Sequence, residues 1–516
     1  MYKKVFFIIF ILFLHVIYPQ SGKYNVVFIM CDDLNDYQGV FGGHPQAKTP
    51  NIDKLSEKGV RFINAQSNVP VCQPSRNSLF TGVYPHRSKD FKWTSKEKQS
   101  VLMHNKTIMQ FFQENGYITL GTGKLMHGNS KQGWDKWGEP LTQNYGPFYF
   151  DGNKVMPNPS TPEPFSSIGP IDGSFGRLSS SGPCYGIKNE KGWVYGWNKK
   201  PLRYVNEDDR DLLPDELHAK WVEDQIKSME YNDDKQPFFM GVGFVRPHTP
   251  MNAPDKYFDM FPLDSIKLAD WIPEDTNDVF YKENFGQKVK GYKYYNMLLQ
   301  SYNNNREKAI RSFLQAYLAC VAFVDEQIGR VVAAVENSSF SKNTIIIFTS
   351  DHGWQMGEKN YLFKNSPWEE SARIPMIWKV PGIKKSISVD QPVSLIDIFP
   401  TLIDICNLQG NYKFNPNGGN MGGYSMRPLI FDEGKWEGPN GALTLVGNNG
   451  YGKSADQQTY SYRTRKYRYI KYGNGKKELY NHKIDPFEWN NIIDEKKYDD
   501  ETKGLENEMN NILIQR

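Results

Sequence analysis

The sequence predicts an α/β protein in which a large, mostly parallel central sheet is flanked by helices, followed by a smaller C-terminal subdomain with an antiparallel sheet. Three observations predict this class. Apolar runs end in charged residues, stretches of helical period lie between these runs, and the pattern changes after about residue 400. The chain has 516 residues, of which 39% are hydrophobic, which is enough for one large domain and a smaller one.

Four apolar runs are predicted to form strands that are buried on both faces of the central sheet. One of them ends in Asp32 and Asp33, and another ends in Asp351 and His352. In open α/β sheets, ligands bind beyond the carboxyl ends of the strands. The two acidic strand ends are therefore expected to converge in one crevice, although they are far apart in sequence. The four runs are residues 25–30, 117–122, 238–244 and 344–349.

Helices are expected between these strands. Thr49 and Pro50 supply an N-cap and a first-turn proline for a short helix that stops at Gly59. From about residue 306 to 336, apolar residues recur at helical spacing and form a core-facing stripe. We assign this stripe, which includes Tyr317, to packing rather than to function.

Two segments have the composition of loops. Residues 151–200 are rich in Gly, Pro and Ser without a clear period, and residues 281–305 are rich in Lys, Tyr and Asn. Long irregular insertions are often binding loops, although a solvated surface loop is the simpler interpretation. Near the C-terminus, residues 460–465 and 467–472 predict a basic, aromatic hairpin, followed by a further short strand around residues 478–480.

The predicted domain organisation is a signal peptide at residues 1–20, a catalytic domain at residues 21–400 and a C-terminal subdomain at residues 401–516. Lys3 and Lys4 precede an apolar run with the length and flanks of a secretory signal. The run is short for a stable membrane span, and the alternative interpretation is an uncleaved anchor. We therefore expect an exported protein.

Charge and cysteine content limit the classes of function. The net charge of +4 is small for this length, so the sequence does not predict a nucleic-acid binder, whereas a small anionic ligand is compatible with it. Five cysteines are too few and too scattered for a disulfide framework, even in an oxidising compartment. The sequence does not determine any pairing among them.

The most informative motif begins at Cys72. It reads Cys-Gln-Pro-Ser-Arg over residues 72–76 and continues with Leu, Thr and Gly seven, nine and ten residues after the cysteine. This pattern resembles the signature of the type I, formylglycine-dependent sulfatase family. In that family a formylglycine-generating enzyme or an anaerobic sulfatase-maturing enzyme oxidises the cysteine to formylglycine (3-oxoalanine). The aldehyde hydrates to a diol, one hydroxyl of which attacks sulfur while the other later expels the sulfate.

The alternative interpretation of Cys72 is a small buried hydrophobe, the usual state of an unpaired cysteine. A core position does not explain why Pro, Ser and Arg follow at these spacings. If a helix begins near Pro74, Arg76 lies about one turn from Cys72 and can face the same ligand. A sulfate ester held there would meet backbone N–H groups, the positive end of the helix dipole and a guanidinium group.

Asp32, Asp33 and Asp351 would place three carboxylates in one crevice, which is unfavourable without a cation. Calcium prefers about six to eight oxygen ligands, so these carboxylates and a hydroxyl of the residue derived from Cys72 make a suitable site. His352 occupies a position at which the family has Asn or His, although nitrogen is a less natural calcium ligand. The predicted metal ligands are thus Asp32, Asp33, Cys72, Asp351 and His352, and the alternative for each acid is a turn or cap residue at a strand end.

Cationic and basic residues at other strand ends complete the resemblance. Residues 123–127, Gly-Lys-Leu-Met-His, resemble the family's second signature, and the Arg-Pro-His sequence that ends at His248 resembles the segment with its substrate-facing histidine. Lys364 matches the family lysine after the Asp-His-Gly turn, whereas alone it would be a solvated lysine. The catalytic residues implied by the resemblance are Cys72, Arg76, Lys124, His127, His248 and Lys364.

The resemblance covers nearly all of the chain after residue 24, and the order of the motifs is most similar to the iduronate-2-sulfatase branch. It implies an alkaline-phosphatase-like sandwich fold. It also implies that Arg76 and calcium hold the diol and the sulfate oxygens while Asp351 takes the attacking proton. His248, helped by Lys364, would protonate the departing sugar oxygen, and His127 would help to regenerate the aldehyde.

The expected substrate is a sulfated carbohydrate, although the large middle insertion departs from the iduronate-2-sulfatase branch and leaves the sugar open. The many Lys, Asn and Ile residues are typical of a bacterial protein, which would be periplasmic or secreted. Algal oligosaccharides such as ulvan are favoured, with uronate, pentose or hexose 2-O-sulfates as targets. Carrageenan and glycosaminoglycans are alternatives. Interpretations of other classes are a metal-dependent phosphodiesterase or phosphonate hydrolase and a non-catalytic sugar-binding relative.

Overall fold

The structure is a computed structural model that describes residues 23–91, 93–127, 132–138, 145–232, 236–286, 289–447 and 454–514. The predicted signal peptide, residues 1–20, lies outside the described residues. Within the described ranges, no helix combines the length and the apolar character that crossing a bilayer requires.

The described elements alternate between strands and helices along most of the chain. The strands are β1 (Asn25–Asp32), β2 (Val60–Phe62), β3 (Ala65–Gln66), β4 (Ile118–Gly123), β5 (Lys136–Trp137), β6 (Phe148–Phe150), β7 (Val155–Met156), β8 (Phe175–Arg177), β9 (Gly192–Val194), β10 (Phe238–Pro247), β11 (Met251–Ala253), β12 (Thr344–Ser350), β13 (Gln355–Met356), β14 (Leu362–Phe363), β15 (Met376–Lys379), β16 (Ile387–Val389), β17 (Val393–Ser394), β18 (Gly441–Val446), β19 (Thr459–Thr464), β20 (Tyr467–Lys471) and β21 (Lys477–Asn481). The helices are α1 (Pro50–Ser56), α2 (Cys72–Thr81), α3 (Pro85–Ser88), α4 (Ile108–Glu114), α5 (Pro214–Tyr231), α6 (Asp255–Asp259), α7 (Tyr281–Phe285), α8 (Lys290–Gln300), α9 (Arg306–Glu336), α10 (Glu369–Ala372), α11 (Ile398–Ile405), α12 (Arg427–Phe431) and α13 (Asp499–Ile514).

A central sheet of eight strands has the order β16-β2-β15-β12-β1-β10-β4-β5. The four strands expected from the sequence are neighbours at its centre, and all of them pair in parallel. Strand β15 pairs antiparallel with both β12 and β2, so the sheet is mixed but mostly parallel, as predicted. Because the carboxyl ends of the parallel strands lie at one edge, the acidic residues that follow β1 and β12 meet there.

Both faces of the central sheet are covered by apolar side chains, which explains why its inner strands are uninterrupted apolar runs. Along β1, Val27 and Ile29 pack into the core that contains helix α9, whereas Val26 and Phe28 pack into the core that contains α4 and α11. This division follows from the two-residue period of a strand. The fold is therefore a three-layer α/β sandwich around the sheet.

Helix α1 begins as predicted but is capped differently. The side chain of Thr49 makes no hydrogen bond to the first-turn amides. Instead, the buried Asp325 of α9 accepts hydrogen bonds from the backbone N–H of Asn51 at 3.1 Å and of Ile52 at 2.8 Å. A long-range carboxylate thus satisfies the free amides of this helix N-terminus, which no local pattern indicates.

The two segments predicted as loops contain regular structure. Residues 151–200 include β7, β8 and β9, and β9 pairs with β6 in a three-stranded sheet. Residues 281–305 contain helices α7 and α8, so the loop interpretation of this segment is wrong. The tyrosines that suggested a loop face inward, and Tyr281, Tyr292 and Tyr295 are all buried.

The predicted C-terminal antiparallel sheet is present. It has four strands in the order β18-β19-β20-β21, of which the last three were expected. Helix α13 packs on it through Leu505, Met509 and Ile512. The proposed boundary at residue 400 falls inside helix α11, and the division into domains stays a prediction.

A network of buried charges joins this sheet to the segment that contains α10. Glu369 accepts from Arg468 and lies 3.2 Å from Nε of Arg463. Glu488 accepts from Nε of Arg468 and lies 2.8 Å from Nε2 of His482, whose Nδ1 contacts Arg463 at 3.0 Å. The two carboxylates and the two guanidinium groups therefore compensate each other away from water.

Replacement of Glu488 by glutamine is expected to lower the free energy of unfolding by about 3 kcal/mol at pH 7. Burial raises the pKa of Glu488, but Arg468 and His482 outweigh it and hold the pKa at about 2. Because the folded-state pKa lies below the unfolded one, this stabilisation is present above a pH of roughly 4.5 and is lost as pH falls towards 2. Urea unfolding at pH 7 and pH 3.5 should show a smaller difference between E488Q and wild type at the lower pH. The control is the half-exposed Glu433, changed to glutamine. An equal loss of unfolding free energy in E488Q at both pH values would contradict the lowered pKa of Glu488.

Candidate active site

The predicted site residues converge at the carboxyl edge of the central sheet. Asp32 is the last residue of β1 and Asp33 follows it, whereas Asp351 and His352 follow β12. Cys72 is the first residue of helix α2, so the helix begins two residues before the predicted start at Pro74. The side chains of all these residues are inaccessible to solvent. Five residues from three distant segments thus form one buried cluster.

The backbone at Asp33 adopts a left-handed conformation, with φ at 64°. Tyr317 of helix α9 stabilises this turn because its hydroxyl donates to the carbonyl of Asp33 at 2.8 Å and accepts from the backbone N–H of Asn35 at 3.0 Å. The sequence analysis assigned Tyr317 to packing alone. Its ring is buried as expected, but its hydroxyl also positions the strand end that carries two of the acids.

Cys72 lies at the centre of the cluster. Its Sγ atom is 3.3 Å from Oδ1 of Asp32, 3.3 Å from Nε2 of His352 and 3.2 Å from Nζ of Lys364. Burial raises the pKa of the thiol to about 11, and Asp32 adds to this rise against the opposing effect of Lys124. The unmodified thiol is therefore a poor nucleophile at neutral pH, because only about one molecule in ten thousand carries the thiolate.

Arg76 lies one turn after Cys72, as predicted, and its guanidinium group is fully buried. Its Nε donates to Oδ2 of Asp351 at 2.8 Å, and its Nη1 donates to the carbonyls of Lys124 and Leu125. Its Nη2 lies 3.6 Å from Oδ1 of Asp32 and has no hydrogen-bond partner within the described part of the chain. One N–H group of the guanidinium is thus available for an acceptor.

The carboxylates of the cluster, together with the oxygen that would replace the Cys72 sulfur, suit a hard divalent cation. Ligand atoms of Asp32, Asp33, Cys72 and His352 lie within 4.8 Å of one another. Oδ2 of Asp33 is buried without a hydrogen-bond partner among the described residues. Burial raises the pKa of Asp33 well above its usual range, and Asp32 adds to this rise although Lys364 opposes it. These residues fit a calcium ion, because a cation would compensate the carboxylate that the protein leaves only partly compensated.

Asp351 lies beside this group rather than within it. Its Oδ2 accepts from Arg76, and its Oδ1 accepts from the backbone N–H groups of His352 at 3.0 Å and Asp33 at 3.3 Å. The side chain therefore holds the two strand ends together. Its Oδ2 lies 3.6 Å from Nε2 of His352. The assignment of Asp351 as a metal ligand stays a prediction.

Two buried lysines contact the acids. Nζ of Lys124 is bonded to Oδ2 of Asp32, and Nζ of Lys364 donates to Oδ1 of Asp33 at 2.7 Å. Burial alone would raise the pKa of Asp32, but Lys124, His248 and Arg76 outweigh it and hold that pKa well below its usual range. Lys364 is thus not a solvated lysine, and both lysines place positive charge around Cys72.

The two predicted histidines line the outer side of the cluster. Nε2 of His248 lies 3.7 Å from Oδ2 of Asp33, and burial together with Lys364 lowers the pKa of His248 well below its usual value. Burial and Lys124 lower the pKa of His127 to about 3. Both rings are therefore neutral at pH 7 before an anion binds. A sulfate ester close to them would favour the protonated forms.

Two aromatic residues that contact the predicted histidines were not expected from the sequence. The hydroxyl of Tyr145 lies 3.4 Å from Nε2 of His127, and its ring is 5.0 Å from the ring of His248 and 4.5 Å from Nζ of Lys124. Trp93, which is 53% exposed, packs edge-on against His127 at 5.0 Å. Neither residue belongs to a motif, so nothing in the sequence alone distinguishes them from other aromatic residues.

Family models and curated proteins match this chain over most of its length. A model described as Sulfatase matches residues 24–408, and one described as N-sulphoglucosamine sulphohydrolase, C-terminal, matches residues 357–515. A sulfatase of Formosa agariphila is 32% identical over 496 residues, which cover 94% of this chain and 86% of that protein. The iduronate 2-sulfatase of Mus musculus is 30% identical over 365 residues, which cover 69% of this chain and 59% of that protein.

Solved structures share the fold at lower identity. A protein in complex with its substrate D-glucosamine-2-N,6-O-disulfate has a TM-score of 0.66 and 20% identity, with 95% of this chain and 98% of that chain covered. The phosphonate monoester hydrolase of Agrobacterium radiobacter has a TM-score of 0.68 and 18% identity, with 95% of each chain covered.

Such a sheet, with acids at its carboxyl edge around a residue at a helix N-terminus, defines a hydrolase of the alkaline-phosphatase-like class. Within this class the phosphonate hydrolase and the sulfatases share a scaffold, so the fold does not decide between them. The family match and the 32% identical relative do decide: the chain belongs to the sulfatase family. It is a sulfuric ester hydrolase.

Proposed function

We propose that this sulfatase removes sulfate from a carbohydrate, with Cys72 converted to formylglycine and a calcium ion held by Asp32, Asp33, Asp351, His352 and the oxygen that replaces the Cys72 sulfur. The observation that carries the proposal is the position of Sγ, which contacts Asp32, His352 and Lys364 and is one of the four potential metal-ligand atoms of the cluster. An oxygen nucleophile at the position of Sγ would lie between the potential metal ligands and Lys364.

The modified residue would supply an oxygen nucleophile that can also release the sulfate, and calcium would supply positive charge next to it. The protein's own residues do the remaining work. Lys124 and Lys364 place two ammonium groups around the reacting atom, and the free Nη2 of Arg76 faces the same cluster. All three side chains are buried, and fixed charges in a low-dielectric site stabilise a developing anion strongly.

His248 is the residue best placed to give a proton to the departing sugar oxygen. Its side chain is buried, with Nε2 near Asp33 and the ring next to the ring of Tyr145. Its lowered pKa means that it can donate only when the bound sulfate ester raises that pKa. The proton would move from Nε2 to the ester oxygen as the S–O bond breaks.

Replacement of His248 by alanine should therefore depend on the leaving group. We expect kcat/KM for a sugar sulfate to fall by about two to three orders of magnitude. For 4-nitrophenyl sulfate, whose leaving group needs no proton, the fall should be less than about tenfold. Both values come from released sulfate measured under identical conditions.

His218 is the matched control for this experiment. It is also buried and has a lowered pKa, but its Nδ1 bonds to Thr122 rather than to a site residue. The change H218A should leave the ratio of the two kcat/KM values unchanged. Equal losses for both substrates in H248A would remove His248 from the role of proton donor.

For the substrate, we favour an algal oligosaccharide such as ulvan, with a uronate, pentose or hexose 2-O-sulfate as the group removed. The similarity to an iduronate 2-sulfatase supports a uronate-containing sugar, and similarity to a structure with a disulfated glucosamine supports a sulfated saccharide in general. Glycosaminoglycans and carrageenan are the alternatives. Export to the periplasm or beyond the cell, and activation by a maturation enzyme, belong to the same proposal.

The proposal is tested by incubating the matured protein with defined oligosaccharides of ulvan, carrageenan and glycosaminoglycans. Sulfate release, and the position of the lost sulfate by mass spectrometry, identify the substrate. A phosphonate monoester and a phosphodiester are included as controls. Release of sulfate from none of the saccharides, together with turnover of the phosphorus compounds, would refute the proposed function.

A further inference from the structure

The two insertions that the sequence analysis set apart meet at one side of the candidate active site. Asp172, from the first insertion, accepts from the hydroxyl of Tyr294 in α8 at 2.8 Å. Lys290, the first residue of α8, lies 3.7 Å from the same carboxylate. These three side chains, which we name the wall cluster, connect segments that are more than a hundred residues apart in sequence.

The wall cluster contacts the sequence neighbours of two predicted catalytic residues. The hydroxyl of Thr249, the neighbour of His248, donates to Asp172 at 3.2 Å. The ring of Phe363, the neighbour of Lys364, lies 5.4 Å from the ring of Tyr294 and 5.2 Å from Nζ of Lys290. Because Nζ of Lys364 is 5.6 Å from this same ring, the ammonium groups of Lys290 and Lys364 share one aromatic neighbour.

Lys290 differs from the buried lysines in how its charge is compensated. Its side chain is 59% exposed, and Asp172 is too distant for a hydrogen bond with it. Both oxygens of Asp172 already accept hydrogen bonds, from Thr249 and Tyr294. The carboxylate thus compensates only part of the ammonium charge, and the group retains its capacity to bind an anion.

We propose that the wall cluster is a specificity subsite in which Lys290 binds a second anionic substituent of the substrate, a carboxylate or another sulfate, beside the sulfate that is removed. The proposal rests on the proposed function, because it assigns a further contact to the same substrate. Phe363, which contacts both Tyr294 and Lys290, is the positioning residue that holds the lysine, and Asp172 compensates part of its charge. The subsite favours acidic sugars over neutral sulfated sugars.

The test compares three substrates that share the same scissile sulfate. They are a sulfated disaccharide with a uronate carboxylate on the sugar, its neutral methyl ester and a neutral-sugar analogue with a second sulfate. We expect K290A to lower kcat/KM about tenfold for one or both of the acidic substrates and less than twofold for the methyl ester. The acidic substrate with the larger loss identifies the anion that Lys290 binds.

Lys293 provides the matched control, because it lies on the same helix, is exposed and carries the same charge. K293A should change none of the three values by more than about twofold. D172N keeps the shape of the side chain and removes the negative charge beside Lys290, so it should raise the preference for the acidic substrates about two- to threefold. Equal effects of K290A on all three substrates, or a lower acidic preference in D172N, would overturn the proposal. Absence of sulfate release by the wild type would instead refute the proposed function.

Discussion

Replacement of Cys72 by alanine should reduce sulfatase turnover by at least about four orders of magnitude, while the free energy of unfolding stays close to that of the wild type. The residue is central to the cluster but contributes little packing that alanine cannot supply. Its Sγ atom contacts Asp32, His352 and Lys364 at the same time. Without it, the cations of the site have no nucleophile to act on. The measurement is sulfate release from a substrate of the matured enzyme.

Cys406 is the control for this change. It is another buried free cysteine, and it lies in the apolar core rather than at the sheet edge. C406A should retain turnover within about twofold after correction for any loss of folded protein. Full turnover in C72A would show that the nucleophile is a different group.

Replacement of Asp33 by asparagine is expected to have the second largest effect. The protein should lose bound calcium, and kcat/KM should fall by about three orders of magnitude. The stability of the metal-free protein should also fall, because D33N removes the carboxylate that compensates the buried ammonium group of Lys364. Asp33 is buried with an unpartnered oxygen and a raised pKa, so its charge is only partly compensated until a cation binds. Metal content by mass spectrometry and urea unfolding in a calcium chelator report the two effects separately.

The change D325N tests whether any buried aspartate would give this result. Asp325 accepts three hydrogen bonds from the start of helix α1 and lies outside the cluster. Its replacement should lower the free energy of unfolding by about 1 kcal/mol and leave the calcium content unchanged. Retention of calcium in D33N, or an equal loss of calcium in D325N, would contradict the assignment of Asp33 as a metal ligand.

The centre of the fold was predictable because its signals are local. Runs of apolar residues such as those of β1 and β12 have no polar face, which only a strand buried on both sides tolerates. The 31-residue helix α9 was predicted from its apolar period with the same bounds. By contrast, helix α8 was missed because its buried face consists largely of tyrosines. From composition alone, tyrosines next to lysines and asparagines indicate a loop.

The site residues that belong to recognisable sequence motifs were predictable. The strand-end acids, Cys72 and Arg76 converge because the topology of parallel strands brings their carboxyl ends together. The roles given to each of them stay predictions. Tyr145 and Asp172 were not predicted as site residues, because only tertiary packing brings them next to His127 and Thr249. The hydroxyl of Tyr317 was missed for the same reason, since a helical period identifies the buried face but not its polar contacts.

The most direct test of the account is the mass of the tryptic peptide from Phe62 to Arg76, which carries Cys72. The protein should be produced in its native host or together with a maturation enzyme, and its turnover of a sulfated sugar measured on the same sample. The account predicts an aldehyde at residue 72, in a fraction of the molecules that scales with turnover across preparations. An intact thiol in a fully active preparation would contradict it.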